Sequence, residues 1–266
     1  FLSTKGNINW KLNEENQINL DAEFLGVELN KLNVFLNYYK LLNGKLNGFA
    51  KITGNVNNPN GYIDLHSEQI KAGDLTYSGF VKSKFGDHVW NFDSINLKIN
   101  TSQIQGFGTK KIGQEESIFS SFLNDDLIDF SLHSEGFEIS AISSLSPEIR
   151  TFKGKYLANA KITGTLLNPK IESGSMSVED GILLTDRLSN PIENISFSSK
   201  IKNGILYLNQ VYGYTPLIKK GFLGYYKSEQ PGKILLNGTI DFNNIYHPIY
   251  NLNIKLDQFF ANYYKE

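Results

Sequence analysis

Apolar and polar residues alternate with a period of two along most of the chain. The alternation is clearest in five runs, at Ile8–Leu12, Ile18–Phe24, Ile95–Ile99, Ile128–Leu132 and Ile234–Ile240. Successive side chains of a β-strand point to opposite faces of its sheet, so each run places its apolar residues on one face. Turn-forming pairs such as Asn43-Gly44 and Asn203-Gly204 separate the runs. The pattern predicts an all-β chain of many short, mostly antiparallel strands.

Two stretches depart from this alternation. Residues 29–41 carry apolar side chains at i, i+3, i+4 and i+7 from Leu32, which is the spacing of one face of a helix. Residues 142–149 contain Pro147 directly after Ser146, and this pair is typical of a helix start. We therefore expect one or two short helices, each followed by strands punctuated with glycine.

A short motif recurs at a fixed distance. Ala50-Lys51-Ile52-Thr53-Gly54 reappears at 160–164, and Asn58-Pro59 reappears with the same offset as Asn168-Pro169. A repeated supersecondary unit favours a stacked architecture in which each unit covers the face of its neighbour. We expect one continuous β-repeat module over 1–266, with repeat units at about 24–136 and 137–245 and a partial unit at 246–266.

The composition excludes several classes of protein. The 26 Lys and Arg residues balance 27 Asp and Glu residues, and a net charge of −1 argues against a nucleic-acid groove or a polybasic membrane patch. The absence of cysteine removes disulfides, thiol nucleophiles and cysteine metal sites. No run approaches the ~20 apolar residues of a membrane span. Because the chain starts with Phe1 in the middle of a pattern, we expect it to be a piece of a longer protein.

No constellation of residues suggests catalysis. The four histidines, His66, His88, His133 and His247, have no partner at metal-ligand spacing. The acidic stretch Asp125-Asp126 with Asp129 lacks the Gly and Glu of a calcium loop, and we interpret it as a turn. Neither a Gly-x-Ser-x-Gly elbow nor a histidine-based triad is present. We expect no catalytic residue, no metal and no cofactor, and hence no enzyme.

The ordered features resemble the repeat of the AsmA/TamB-like family of bridge-like lipid-transfer proteins. In that repeat a short helical segment and a glycine precede Ala-Lys-Ile-Thr-Gly, Asn-Pro and a further glycine-led strand. The pattern is present at Gly44–Leu65 and again at Gly154–Val178. The stretch Asn203–Gly238 is similar to the strands that follow in the family.

The resemblance implies a fold, a place and a task. The fold is an elongated, curled, taco-like and mostly antiparallel β-sheet with an apolar concave groove. The place is the periplasm of a two-membrane bacterium, with the parent chain anchored in the inner membrane by a segment outside these residues. The task is to carry phospholipid between the inner and outer membranes, which supports outer-membrane biogenesis. The partners are phospholipid and, in one branch of the family, an outer-membrane assembly barrel.

The residue pattern agrees with a groove, since a sheet that is apolar on one face must bury that face. A sheet that curls without closing would enclose a trough suited to acyl chains. The residues in phase with the apolar face are the predicted lining of this trough: Ile52, Val56, Ile63, Leu65, Leu97, Ile99, Ile128, Phe130, Leu132, Ile162, Met176, Val178, Ile234, Leu236 and Ile240.

The alternation leaves a second interpretation open. A surface or extracellular β-solenoid or β-sandwich that binds protein or glycan through its polar outer face needs the same pattern. Its distinguishing features would be a closed, dry core and exposed aromatic residues on the opposite face.

Overall fold

The computed structural model describes residues 2–9, 17–32, 42–55, 58–72, 75–99, 101–113, 126–138, 149–165, 168–186, 190–216, 218–221, 224–227, 231–244 and 247–257. Nearly all of them belong to strands. In chain order the elements are β1 (Leu2–Asn9), β2 (Gln17–Glu28), α1 (Leu29–Leu32), β3 (Leu42–Asn55), β4 (Pro59–Ala72), β5 (Leu75–Gly86), β6 (Val89–Ile99), β7 (Ser102–Lys111), β8 (Leu127–Glu138), β9 (Ile149–Thr165), β10 (Pro169–Thr185), β11 (Ile192–Lys202), β12 (Ile205–Thr215), β13 (Ile218–Gly221), β14 (Gly224–Lys227), β15 (Gly232–Asp241) and β16 (Ile249–Asp257).

Fourteen of these strands form a single sheet whose spatial order follows the chain. The order runs from β1 to β12 and continues with β15 and β16, while β13 and β14 pair separately. Neighbouring strands pair antiparallel, as β3 does with β4 and β15 with β16. The sheet is open, because β1 and β16 each have one hydrogen-bonded neighbour in this order. The prediction of an all-β, antiparallel, curled and open sheet is confirmed.

The helix predictions fare less well than the strand predictions. The described part of residues 29–41 is the single turn of α1, and residues 33–41 lie outside the described residues. Residues 142–148 also lie outside them. Ile149, the last residue of the second predicted helix, begins β9, so this end of the prediction is wrong. Asp129, which we interpreted as part of a turn, lies inside β8 because its apolar neighbours extend that strand.

The chain divides into two compact units. Unit 1 comprises Phe1–Leu132 with Ile162–Pro169, and unit 2 comprises His133–Lys161 with Lys170–Glu266. The first copy of the recurring motif lies at the end of β3 and the second at the end of β9, and in each case the turn to the next strand follows. Gly54 and Gly164 have φ angles of 99° and 91°, so the two copies also turn alike. The proposed repeat boundaries stay a prediction.

Bulges bend the strands within each unit. The backbone of Gly26 in β2 and of Gln210 in β12 is left-handed, with φ of 61° and 54°, where the register with the next strand shifts. A bulge of this kind increases the local twist and bends the strand. The amide that each bulge frees donates a hydrogen bond to an asparagine of a neighbouring strand of the sheet, β3 for Gly26 and β15 for Gln210. The N···Oδ1 distances are 2.8 Å for Gly26 to Asn47 and 2.6 Å for Gln210 to Asn237.

We expect Asn47→Ala to lower the free energy of unfolding by about 1–2 kcal/mol, since it leaves the half-buried amide of Gly26 without its acceptor. Asn47→Asp keeps an acceptor oxygen and is the matched control. Asn237→Ala should cost less, because water reaches the exposed bulge at Gln210. Urea unfolding of the three variants measures these differences. Equal losses for Asn47→Ala and Asn47→Asp would contradict the role of the acceptor.

Candidate functional site

The two faces of the sheet differ in chemistry. Residues directly opposite each other in antiparallel strands share a face. In unit 1 one such row crosses six strands and consists of Leu20, Ile52, Gly61, Phe85, Trp90 and Lys110. We call the face that carries this row, and the corresponding face of unit 2 around Val178 and Leu236, the apolar face. The other side of each unit is the polar face.

The strand registers and contacts place the predicted lining residues on the apolar face. In unit 1 they are Ile52, Ile63, Leu65, Leu97, Ile99, Ile128, Phe130, Leu132 and Ile162, and in unit 2 they are Met176, Val178, Ile234, Leu236 and Ile240. Ile162 has the strand phase of Tyr156, which packs in the unit 2 core. Val56 lies outside the described residues. Their role as a lipid lining stays a prediction.

Most of these fourteen side chains are only partly covered. Ile52, Ile128 and Val178 are buried, and the other eleven are half-buried. The core of a closed β-sandwich would bury nearly all such residues between its two sheets. A half-buried apolar face instead offers a surface that an apolar ligand could cover.

One part of the apolar face in unit 1 is already filled by its own side chains. Trp90 is 2% exposed, and its ring centroid lies 5.8 Å from that of Phe85 and 5.5 Å from that of Phe92. Gly61 makes room for this cluster, because a Cβ atom there would lie 2.5 Å from the Phe85 ring. The amide of Ile112 donates to the carbonyl oxygen of His88 at 2.8 Å and brings Ile112 into the cluster.

A buried ion pair borders this aromatic cluster. Lys110 lies directly opposite Trp90 in the β6–β7 register, on the apolar face, and only 3% of it is exposed. Its Nζ atom is 3.4 Å from Oδ2 of Asp126, the residue just before β8. A buried ammonium group requires a partner charge, so the pair ties the end of β7 to the start of β8.

Unit 2 has a smaller core of the same kind. Phe152, Val178 and Ile195 are buried together, and Val211 and Met176 pack against them. The hydroxyl of Ser199 donates to the carbonyl oxygen of Met176 at 3.1 Å, which satisfies this polar group within the apolar surroundings. The core therefore covers β9 to β12, while the lining residues of β15 remain half-buried.

The polar face carries cross-strand ion pairs. In unit 1 the Nζ–Oδ distances are 3.9 Å for Lys51–Asp21, 3.2 Å for Lys82–Asp64 and 2.9 Å for Lys84–Asp93. In unit 2 Lys161 pairs with Glu172 at 3.3 Å on this face, and Arg150 near the start of β9 pairs with Asp186 just after β10. Both lysines of the repeated motif form ion pairs, Lys51 with the preceding strand β2 and Lys161 with the following strand β10. These charges keep the polar face solvated.

Sequence reasoning missed several residues of the apolar face. Phe85 and Phe152 have the phase of their apolar neighbours, and alternation alone would have found both. Lys110 also has the phase of Ile104 and Ile112. Because lysine side chains are rarely buried, the alternation alone would not predict that this one is. For Asp126, the only indication in the sequence was its position directly before the apolar run that forms β8.

The described residues contain no group of three or more His, Cys, Asp or Glu side chains that could hold a metal ion. Within the same residues, no helix has the length and apolar content that a transmembrane helix requires. Comparisons with protein-family models, with curated proteins and with solved structures give no match.

Proposed function

We propose that the chain is a segment of a periplasmic bridge-like protein that carries phospholipid acyl chains along its apolar face. The observation that supports this proposal is the half-buried state of eleven lining residues on one face of successive strands. The opposite face is held in water by ion pairs, so the sheet is suited to a polar compartment. The resemblance to the AsmA/TamB-like repeat supplies the membranes that such a bridge would connect.

The energetics suit a lipid that is held but can move. At ~0.8 kcal/mol per buried CH₂, an acyl chain of about 16 carbons gains roughly 10 kcal/mol before the costs of binding. This gain keeps the chain out of water. Neighbouring positions on an apolar wall are similar, so the acyl chain can move from one to the next without leaving it.

The Trp90 cluster restricts the path in unit 1. Its side chains already fill the row that runs from Ile52 to Trp90, so an acyl chain finds no space there. In the neighbouring rows Leu65 and Leu97 and the residues opposite them, Val81 and Ile104, are half-buried and offer the accessible surface. We expect lipid to contact these rows and not the Trp90 row.

A matched pair of variants in β15 tests the proposal. Leu236 lies on the apolar face, opposite Val211 and Ile254, and its neighbour Leu235 lies on the polar face, opposite Tyr212. Leu236→Lys should reduce the phospholipid that copurifies without detergent by at least about tenfold, because a charge on the wall opposes an acyl chain. Leu235→Lys should leave the amount unchanged.

Mass spectrometry of lipid extracted from the purified proteins measures both results, and circular dichroism verifies that both variants fold. Equal lipid in Leu236→Lys and the wild type would contradict a path along the apolar face. So would a wild-type chain that is folded, monomeric and free of lipid.

One feature favours the alternative, a binding module that uses its polar face. Tyr207 and Tyr212 are exposed on the polar face of unit 2. Tyr207 also borders a shallow depression of about 810 Å³ that is lined by Lys200, Asn209 and Ser198. An aromatic ring beside hydroxyl, amide and ammonium groups suits a glycan. A lipid-free chain that loses polysaccharide binding on Tyr207→Ala would establish this alternative.

A further inference from the structure

Two lysines of β11 form a positively charged pair on the polar face of unit 2. Lys200 and Lys202 are both exposed. They are two residues apart in one strand, so their Cα atoms are separated by about 6.4–6.8 Å and their side chains share a face. The residues directly opposite them on β10 and β12 are all uncharged: Ser173, Ser175, Ile205 and Tyr207.

Lys82 and Lys84 of β5 in unit 1 have the same spacing but a different environment. Lys82 pairs with Asp64 at 3.2 Å, and Lys84 pairs with Asp93 at 2.9 Å. Within the described residues, the two lysines of β11 form no such ion pair. Two like charges at this separation repel each other, and an anion between them removes the repulsion. The β11 pair can therefore accept a negative charge from outside the chain.

The lysine pair borders a concave surface that is rich in hydrogen-bonding groups. The depression of about 810 Å³ is lined by both lysines and by Ser173, Ser198, Asn209 and Tyr207. None of the described residues that line it is acidic. Its volume lies in the range of about 300–1,000 Å³ that is usual for ligand sites. Tyr207 is 42% exposed, so a ligand can reach its ring.

These groups suit a chain of sugar acids. Hydroxyl and amide groups exchange hydrogen bonds with sugar hydroxyls, and an exposed tyrosine offers an apolar ring with a polar tip. Ammonium groups form charge-assisted hydrogen bonds with carboxylates. Nucleic acids and anionic bilayers are usually bound by larger basic clusters, of about 4–8 residues in the case of bilayers. A flat bilayer also fits a concave surface poorly.

We infer that the depression at Lys200 and Lys202 binds an anionic polysaccharide, with a sugar carboxylate between the two ammonium groups and a sugar ring against Tyr207. The inference rests on the glycan-binding alternative for the role of Tyr207, and it adds the charge of the ligand and the residues that recognise it. It does not depend on the lipid path, because the depression lies on the other face of unit 2. One chain can bind both ligands.

Binding of the whole chain to polygalacturonate, with dextran as the neutral polymer, tests the inference. Affinity electrophoresis in gels that contain either polymer measures it. At low salt we expect polygalacturonate to bind at least about tenfold more tightly than dextran. About 1 M salt should remove the difference, because the Debye length is then ~3 Å.

Two results of this experiment would overturn the inference. Equal binding of the two polymers would leave a glycan site but no recognition of charge. Binding to phosphatidylglycerol vesicles without binding to polygalacturonate would identify a membrane surface as the ligand instead.

Matched double variants assign the effect to the β11 pair. Lys200→Gln with Lys202→Gln should lower the affinity for polygalacturonate by at least about tenfold, whereas Lys200→Arg with Lys202→Arg keeps both charges and should retain it. Lys82→Gln with Lys84→Gln removes the same charge at the same spacing and should leave binding unchanged. All four lysines are exposed, so the variants should fold, which circular dichroism verifies. Equal losses in the two glutamine variants would overturn the site.

Lipid extracted from the same samples separates this inference from the proposed lipid path. Lys200→Gln with Lys202→Gln should keep the phospholipid content of the wild type, and Leu236→Lys should keep its binding to polygalacturonate. A wild-type chain without lipid that binds polygalacturonate would contradict the lipid path and support this inference. Loss of polygalacturonate binding in folded Leu236→Lys would overturn the assignment to the polar face.

Discussion

Replacing Trp90 by alanine should lower the free energy of unfolding by about 3–5 kcal/mol, the range for removal of a large buried aromatic side chain. Trp90 is 2% exposed, and its ring contacts Phe85 on the adjacent strand β5 and Phe92 on its own strand β6. Gly61, which provides the space for this cluster, cannot fill the cavity that remains. The sheet of unit 1 would then lose most of its tightly packed core.

Urea unfolding followed by far-ultraviolet circular dichroism measures this loss, and hydrogen exchange of the β5 and β6 amides localises it. Tyr212→Ala is a suitable control, because Tyr212 is 44% exposed on the polar face and should contribute within about 0.5 kcal/mol. A Trp90→Ala protein as stable as Tyr212→Ala would show that the Trp90 cluster does not hold the curled sheet together. Lipid content should change little, since acyl chains are expected on other rows.

The second large effect is expected at Lys110. Lys110→Met keeps the length of the side chain but leaves the Asp126 carboxylate without the ammonium group 3.4 Å away. Removal of one partner from a buried pair costs about 3–5 kcal/mol, and we expect about 3 kcal/mol because 18% of the Asp126 side chain remains exposed. Urea unfolding measures the change.

Two further proteins isolate the cause of this effect. The double variant Lys110→Met with Asp126→Leu replaces both charges by apolar groups, and it should recover most of the lost stability. Lys82→Met breaks the exposed Lys82–Asp64 pair, which has a similar separation of 3.2 Å, and should cost within about 1 kcal/mol. If the double variant is no more stable than Lys110→Met, the penalty comes from lost packing and not from an unpaired charge.

Within each unit, the packed cluster and the half-buried residues of the apolar face have different tasks. The Trp90 and Val178 clusters provide the packing that a single sheet otherwise lacks. Half-buried residues such as Leu97 in unit 1 and Leu236 in unit 2 remain accessible. Stability and ligand binding can therefore be altered separately, which is what Trp90→Ala and Leu236→Lys are designed to measure.

The sequence by itself determined which side chains share a face. In an extended strand, side chains two residues apart point to the same side of the sheet. For this reason the predicted lining residues that the structure describes, from Ile52 to Ile240, lie on the apolar face. The sequence was less informative about helices, because four apolar positions at helical spacing fit several local structures. Of residues 29–41, the structure describes only the turn of α1 as helix.

The tertiary structure decided where the alternation shifts and which positions are closed. Phe92 and Ile95 are an odd number of residues apart, yet both lie on the apolar face because a bulge separates them. Burial depends on neighbouring strands: Trp90 is covered by Phe85 and Ile112, while Leu97 in the same strand stays half-buried. Lys110 has an apolar position because Asp126, 16 residues later, supplies the opposite charge. Contacts between distant residues set these outcomes, and a local pattern does not contain them.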